Sequence, residues 1–173
     1  KQEIVVDNLS RLGGLERGSY HLEPTVTGPA WNYRNRVRFH VDVSNKHVGF
    51  LQRKSSSLVR IESCPILTGQ LNALLSDSKP LFEAARKLMF ANRGGKSRYL
   101  EVPAFASERK VSLLDEEIDI TVGEKRFFVT SEVFFQSNRY LTAALGEYVA
   151  GKAIGTSVMD LYSGVGTFSA FLA

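Results

Sequence analysis

The sequence predicts a mixed α+β fold, with an antiparallel sheet and helices in its middle and a separate strand–turn–helix at its end. Three observations predict it. Residues 34–43 alternate strictly between apolar and polar side chains, the period-2 signature of a half-buried strand. Short β-branched and aromatic runs then recur between turn residues as far as Val129, as strands of an antiparallel sheet do. From Ser157 the pattern changes to an apolar run, a glycine-rich turn and a helical start at Thr167.

Taken in order, Ile4, Val5, Leu9 and Leu12 fall at helical spacing and Gly13-Gly14 stop the helix that opens at Lys1. Val37, Phe39, Val41 and Val43 form one face of the first strand, and Arg36, Arg38, His40 and Asp42 the other. Ser44-Asn45-Lys46 turns the chain into a second strand, Val48 to Leu51, and Leu58 to Ile61 makes a third. Ile66 to Leu75 reads as a short helix. A second begins near Pro80, which the first turn accepts, with Leu81, Ala84, Ala85, Leu88 and Met89 as its stripe and Gly94-Gly95 as its end. Strands follow at Arg98–Val102, Lys110–Leu114, Ile118–Val122 and Arg126–Val129, then a helix over Asn138–Val149 ended by Gly151. Ser157–Leu161 is the last strand, and the helix after it is still running where the chain stops at Ala173. One strand cannot make a doubly wound sheet, so this last unit is expected to be incomplete and the chain a fragment.

Composition narrows the class. The chain has 173 residues, 43% hydrophobic and 23% charged, which excludes disorder and collagen-like or disulfide-dense scaffolds. A single Cys makes no internal disulfide and places the expectation in the cytoplasm. No apolar stretch is long enough for a transmembrane helix, no leader is visible, and no membrane partner is expected. Net charge is +4. Between Trp31 and Arg60 seven cationic residues face Asp42 alone, so the excess charge is concentrated in one segment, as on an anion-binding surface.

Four constellations could carry chemistry. Arg34, Arg36 and Arg38 project from one strand face at ~6.6–6.8 Å intervals, a spacing that could follow phosphates. Tyr33 and Trp31 beside them offer stacking surface for unpaired bases; the plain alternative is a solvated sheet face. Gln136, in Phe135-Gln136-Ser137-Asn138, has both donor and acceptor for reading an adenine, an amino-acid group or a base edge, while Asn138 suits a helix N-cap. Asp160-Leu-Tyr-Ser-Gly-Val-Gly-Thr places Gly164 and Gly166 where backbone meets a ligand or takes positive φ, with Asp160 at the strand end to hold the turn. This D-x-x-x-G-x-G spacing is that of S-adenosylmethionine-dependent methyltransferases, not of the dinucleotide fingerprint. Cys64 is open to three readings: nucleophile, metal ligand or small buried hydrophobe, the last being usual for a free Cys. The three His lack ligand spacing, so no zinc site or hydrolytic triad is expected.

Together, Tyr33-Arg34-Asn35-Arg36, Val48-Gly49-Phe50, Cys64-Pro65, Phe135-Gln136-Ser137-Asn138 and Asp160 through Phe168 resemble, in order and spacing, the RNA uridine-5-methyltransferase family, which methylates carbon 5 of uridine in 23S ribosomal or transfer RNA. The resemblance implies a central RNA-facing sheet domain over 31–129, with 1–30 and 130–173 forming an incomplete Rossmann-like methyltransferase domain. It implies that S-adenosylmethionine is held by Gln136, Tyr162, Gly164, Gly166 and Thr167, with Asp160 supporting the turn. Ser163 replaces a frequent Cys of the family and Thr167 a frequent Asn. RNA is implied as partner, ribosomal more than transfer, with Arg34, Arg36, Arg38 and Tyr33 as its contacts. Many members hold a [4Fe-4S] cluster, and Cys64 stands at the position of its last ligand; with one Cys the chain is not expected to bind a cluster. The family's nucleophilic Cys and general base lie past the glycine-rich turn, so no catalytic residue is expected before Ala173 and the chain alone should be inactive. The alternative is a non-catalytic RNA-binding module built on residues 31–60.

Overall fold

The structure is a computed structural model that describes residues 2–91 and 98–173. Five strands form an antiparallel sheet in the order β3-β2-β1-β4-β5: β1 Arg36–Asp42, β2 His47–Leu51, β3 Leu58–Arg60, β4 Leu100–Ala106 and β5 Val111–Leu113. A separate hairpin pairs β6, Ile118–Val122, with β7, Lys125–Val129. The helices are α1 Gln2–Arg11, α2 Gly69–Ser76, α3 Lys79–Phe90, α4 Thr142–Lys152 and α5 Thr167–Leu172.

The alternation of β1 assigns the two faces of the sheet. Val37, Phe39 and Val41 are buried with Val102 and Ala104 of β4 beneath α2 and α3, which supply Leu71, Leu81, Ala85 and Leu88. Phe39 is fully buried and stacks on Phe50 with centroids 6.0 Å apart. On the opposite face the register sets Arg36 against Phe105, Arg38 against Pro103 and His40 against Glu101. The β6–β7 hairpin covers only one end of that face: Phe105 joins Ile118, Ile120, Phe127, Val129 and Phe135 in a second core. Val165, Ala170 and Phe171 pack on this second core and attach the last segment of the chain to it.

Several elements differ from the expected ones, each for a physical reason. Ser157–Leu161 is not a strand: among the described residues no strand pairs with it, and a strand exists only through its ladder. Val158, Met159 and Leu161 are exposed. β4 begins at Leu100 rather than Arg98 and runs past Val102 through Pro103 to Ala106, because proline's fixed φ suits extended backbone and the ladder to β1 continues past it. α2 begins at Gly69 rather than Ile66, since Ile66 and Thr68 spend their main-chain groups on Arg34 and Thr68 Oγ1 then caps the helix at Leu71 N. α4 begins at Thr142. Asn138 closes a preceding turn instead of capping the helix, its Oδ1 accepting from Tyr140 N at 3.1 Å. Met89 leaves the α3 stripe and is exposed. α1 buries no residue. The expected helix stop at Gly94-Gly95 lies outside the described residues, as does Lys1.

Candidate functional site

Three stretches far apart in sequence meet main chain to main chain at the start of β1. Arg34 N donates to Ile66 O at 2.8 Å and Thr68 N to Arg34 O at 3.0 Å. Asn35 N donates to Ser137 O at 3.0 Å and Arg139 N to Tyr33 O at 3.0 Å. Segment 32–35 is therefore clamped between 65–68 and 137–139. Asn72 braces one jaw of the clamp: its Oδ1 accepts from Cys64 N at 2.8 Å, and its Nδ2 donates to the carbonyls of Cys64, Leu67 and Thr68. Phe135 braces the other, buried edge-on against Phe105 and Phe127.

This junction opens a cleft of about 490 Å³ lined by Arg34, Arg36, Arg38, Cys64, Phe134 and Gln136. Three of the four constellations found in the sequence thus share one cavity. Its walls combine three guanidinium groups with the exposed Phe134 ring and one amide that both donates and accepts. A phosphate and an unpaired base would each find complementary chemistry there.

The arginines are not equivalent. Arg38 is exposed and pairs with Glu101 at 3.3 Å, while His40 reaches the other oxygen of the same carboxylate at 3.5 Å. Arg34 Nε donates to Arg36 O at 2.9 Å. Arg36 turns inward, its Nη2 donating to Ser131 O at 3.3 Å and Glu132 O at 3.4 Å. Burial, and then the charges of Arg38 and Arg34, hold the Arg36 guanidinium below its ordinary pKa. Tyr33 is half-buried and does not line the cleft; Trp31 is exposed.

The glycine-rich turn lies apart from the cleft. Gly164 has φ +57° and Gly166 φ +72°, and beside Gly164 nothing stands within 4 Å of where a Cβ would be. The turn therefore presents bare backbone in an open position, which suits a ligand that must approach main chain. Tyr162 also takes positive φ and is fully exposed, and Thr167, buried, starts α5. Asp160 Oδ2 accepts from Ser169 N at 3.2 Å and Ser169 Oγ at 2.6 Å, so it holds the turn to the helix. Asp160 and Ser169 border a second cavity of about 500 Å³ that Gln136 does not line. What links the two places is the second core, where Phe135, beside Gln136, and Val165, between the two glycines, pack in one cluster.

Cys64 is half-buried against the first core and also faces the cleft. Among the described residues no three ligating side chains gather, and Cys64 is the chain's one cysteine, so the residues present do not form the donor set of an iron–sulfur cluster. Two further residues escaped the sequence reading. Asn72 is one polar residue within an apolar helical run. Gly146 packs so close to Phe171 that a Cβ would meet its ring; a lone glycine inside a helical pattern was the available signal.

No protein-family model matches the chain. By sequence it is similar to an uncharacterized RNA methyltransferase of Treponema denticola, 31% identical over 160 residues covering 91% of this chain and 36% of that protein. It is also similar to the 23S rRNA (uracil(1939)-C(5))-methyltransferase RlmD of Shewanella sediminis, 26% identical over an alignment covering 100% of this chain and 48% of that one. In fold it is similar to the Pyrococcus abyssi tRNA (uracil-54, C5)-methyltransferase solved with S-adenosyl-L-homocysteine, with a TM-score of 0.60 at 18% identity over 84% of this chain and 47% of the other. The chain spans less than half the length of each of these three proteins.

Proposed function

We propose that this chain, similar in sequence to an RNA methyltransferase and to the 23S rRNA uracil-C5-methyltransferase RlmD, is the RNA-facing and cofactor-approaching part of an enzyme that methylates carbon 5 of uridine in RNA. The observation that carries the reading is the cleft in which Arg34, Arg36 and Arg38 stand with Phe134 and Gln136. Arg34 and Arg38 meet phosphates, and Tyr33 and Trp31 lie on the path of the strand. Gln136 reads polar groups of S-adenosylmethionine, and Tyr162, Gly164 and Gly166 receive it on the turn that leads into α5 at Thr167, with Asp160 holding that turn to the helix. When bound, that molecule supplies an electrophilic methyl group. Residues of this chain bind and orient; the thiolate that adds to uracil and the base that removes the carbon-5 proton belong to sequence the chain does not span. Cys64 is one candidate thiolate for an iron–sulfur cluster whose other ligands lie equally outside it.

The test uses the intact protein that carries this chain, S-adenosylmethionine, and ribosomal or transfer RNA tritiated at uridine carbon 5. Methyl transfer releases the label as tritiated water, and the RNA that loses its label faster identifies the substrate class. RNA that is bound with no release would leave a binding module in place of an enzyme.

A further inference from the structure

The arginine row of β1 divides by what each side chain does at the far wall of the cleft. Arg38 is exposed, whereas Arg36 is half-buried and its Nη2 lies between two carbonyl oxygens, those of Ser131 and Glu132. Its Nε is buried and without a hydrogen-bond partner among the described residues. A guanidinium placed only to meet phosphate would keep those donors in water, because an unmet buried donor is costly. The position follows from register: Arg36 stands opposite Phe105, the β4 residue whose ring packs edge-on against Phe135 at 5.7 Å. Arg36 therefore sits where segment 131–137 crosses the sheet.

That segment has firm ends and an open middle. Ser131 is fully buried, its N accepted by Ser112 Oγ at 3.0 Å and its Oγ donating to Leu114 O at 2.7 Å. Phe135 is in the second core and Ser137 O is bonded by Asn35. Val133 and Phe134 between them are exposed. Arg36 Nη2 enters at the first of those ends, on Ser131 O and Glu132 O.

We propose that Arg36 is a positioning residue, which fastens the cleft wall bearing Phe134 and Gln136 to β1 and leaves the contact with RNA phosphates to Arg34 and Arg38. The proposal rests on the cofactor role given to Gln136 above. It assigns to one of three sequence-equivalent arginines a task the other two do not share. A charged donor to a carbonyl is stronger than a neutral one; Lys keeps the charge but carries it as a compact point on a flexible stem, so it replaces the Nη2 contacts only in part.

The experiment compares Arg36→Gln, Arg36→Lys and Arg34→Gln in the intact protein. Three quantities are read: S-adenosylhomocysteine affinity by calorimetry, RNA affinity as a function of salt, and backbone amide exchange over residues 132–137. Arg36→Gln should weaken S-adenosylhomocysteine about tenfold, speed exchange across 132–137 and leave the salt dependence of RNA binding unchanged. Arg36→Lys should recover part of that affinity and protects the measurement should the Gln variant fail to fold. Arg34→Gln should instead reduce the salt slope of RNA binding by about 0.7, the single-strand value per contact. Arg36 variants that lose the salt slope and keep amide protection would overturn the proposal. An unaltered protein that binds no S-adenosylhomocysteine overturns the cofactor reading of Gln136, and amide exchange then still decides for or against Arg36 as the fastener.

Discussion

Removing a negative charge from the arginine face should tighten RNA binding. Glu101 is the residue to change, because its carboxylate pairs with Arg38 at 3.3 Å and also lies 3.5 Å from His40, its cross-strand partner. A phosphate that engages Arg38 must displace this carboxylate or share the guanidinium with it. The displaced pair is about half-exposed on both sides, so losing it costs about 0.2–1 kcal/mol. A phosphate and a carboxylate bonded to one guanidinium stand roughly 7 Å apart, where their repulsion in water is about 0.6 kcal/mol. Glu101→Gln removes whichever of the two costs applies and should tighten binding by about 0.6 kcal/mol, or roughly threefold, at low ionic strength. The assay is fluorescence anisotropy with a single-stranded RNA across a salt series. The gain should shrink as salt rises, since both terms are screened. It should also vanish in an Arg38→Gln background, where no guanidinium remains to be released. Glu101→Gln protein that stays folded yet binds RNA no tighter at low salt would refute Arg38 as a phosphate contact. Equal gains with and without Arg38 would refute the reasoning by another route, showing a general charge effect.

Three further outcomes follow from local geometry. Asp160→Ala removes the acceptor for both Ser169 donors, which should destabilise α5 by about 0.5–2 kcal/mol; faster exchange of the Ser169 amide, with β1 unchanged, is the readout. Gly146→Ala places a methyl within 2.6 Å of the Phe171 ring; overpacking should cost about 1–3 kcal/mol and lower Tm, with Phe171→Leu in the same chain restoring part of the loss. Asp42 has its carboxyl held below the ordinary range by Asn45, through the backbone N–H first and then the side-chain amide. A depressed folded-state value stabilises the protein above the unfolded value of about 3.9, and that stability is lost as pH falls through the folded value. Urea midpoints followed into acid should therefore fall less steeply for Asp42→Asn than for the unaltered chain.

What the sequence discloses and what it hides divide along the range of the interactions concerned. The period-2 pattern of 36–43 is a local record of which side is dry, so Val37, Phe39 and Val41 fall in the core as expected. Leu81, Ala84, Ala85 and Leu88 do so for the same reason at helical period, whereas Met89 occupies the margin of that stripe and turns to solvent. The apolar run at 157–161 carries an equally clear local signal and still forms no strand, because a ladder is a property of two segments and periodicity describes one. Site chemistry shows the same division. The positive φ of Gly164 and Gly166 is legible from residue type alone. The meeting of Arg34, Cys64 and Gln136 is not, since it depends on hydrogen bonds between residues 32 to 106 positions apart, made by main-chain groups rather than by distinctive side chains. Arg36 is the sharpest case: the sequence gives it the same spacing and chemistry as Arg34 and Arg38, and only the crossing of 131–137 turns it inward.

That main-chain stitching has a consequence for how the cleft can vary. Arg34 contributes its N–H and C=O to the 65–68 jaw, while its side chain, held by its Nε on Arg36 O, lines the cavity. Asn35 gives its N–H to Ser137 O and its C=O to Ala106 N. Backbone bonds of this kind survive most side-chain replacements, so the frame and the chemistry of the cleft are separable at Arg34, Arg38, Phe134 and Gln136. They are inseparable at Asn72, whose side chain bonds four main-chain groups of 64–68 at once. Replacing Asn72 by Leu leaves Cys64 N and Leu67 O without their partner, at about 1–3 kcal/mol for each that water does not reach, while Cys64 O and Thr68 O keep the main-chain donors Leu67 N and Asn72 N. Such a variant should lose the cleft, and RNA binding with it, although Asn72 is not among the residues that line the cavity. Asn72→Asp retains the acceptor for Cys64 N and surrenders the donor, so it should fall between the two. If Asn72→Leu binds RNA as tightly as the unaltered chain, the 64–68 jaw does not shape the binding surface and the arginines act from the strand alone.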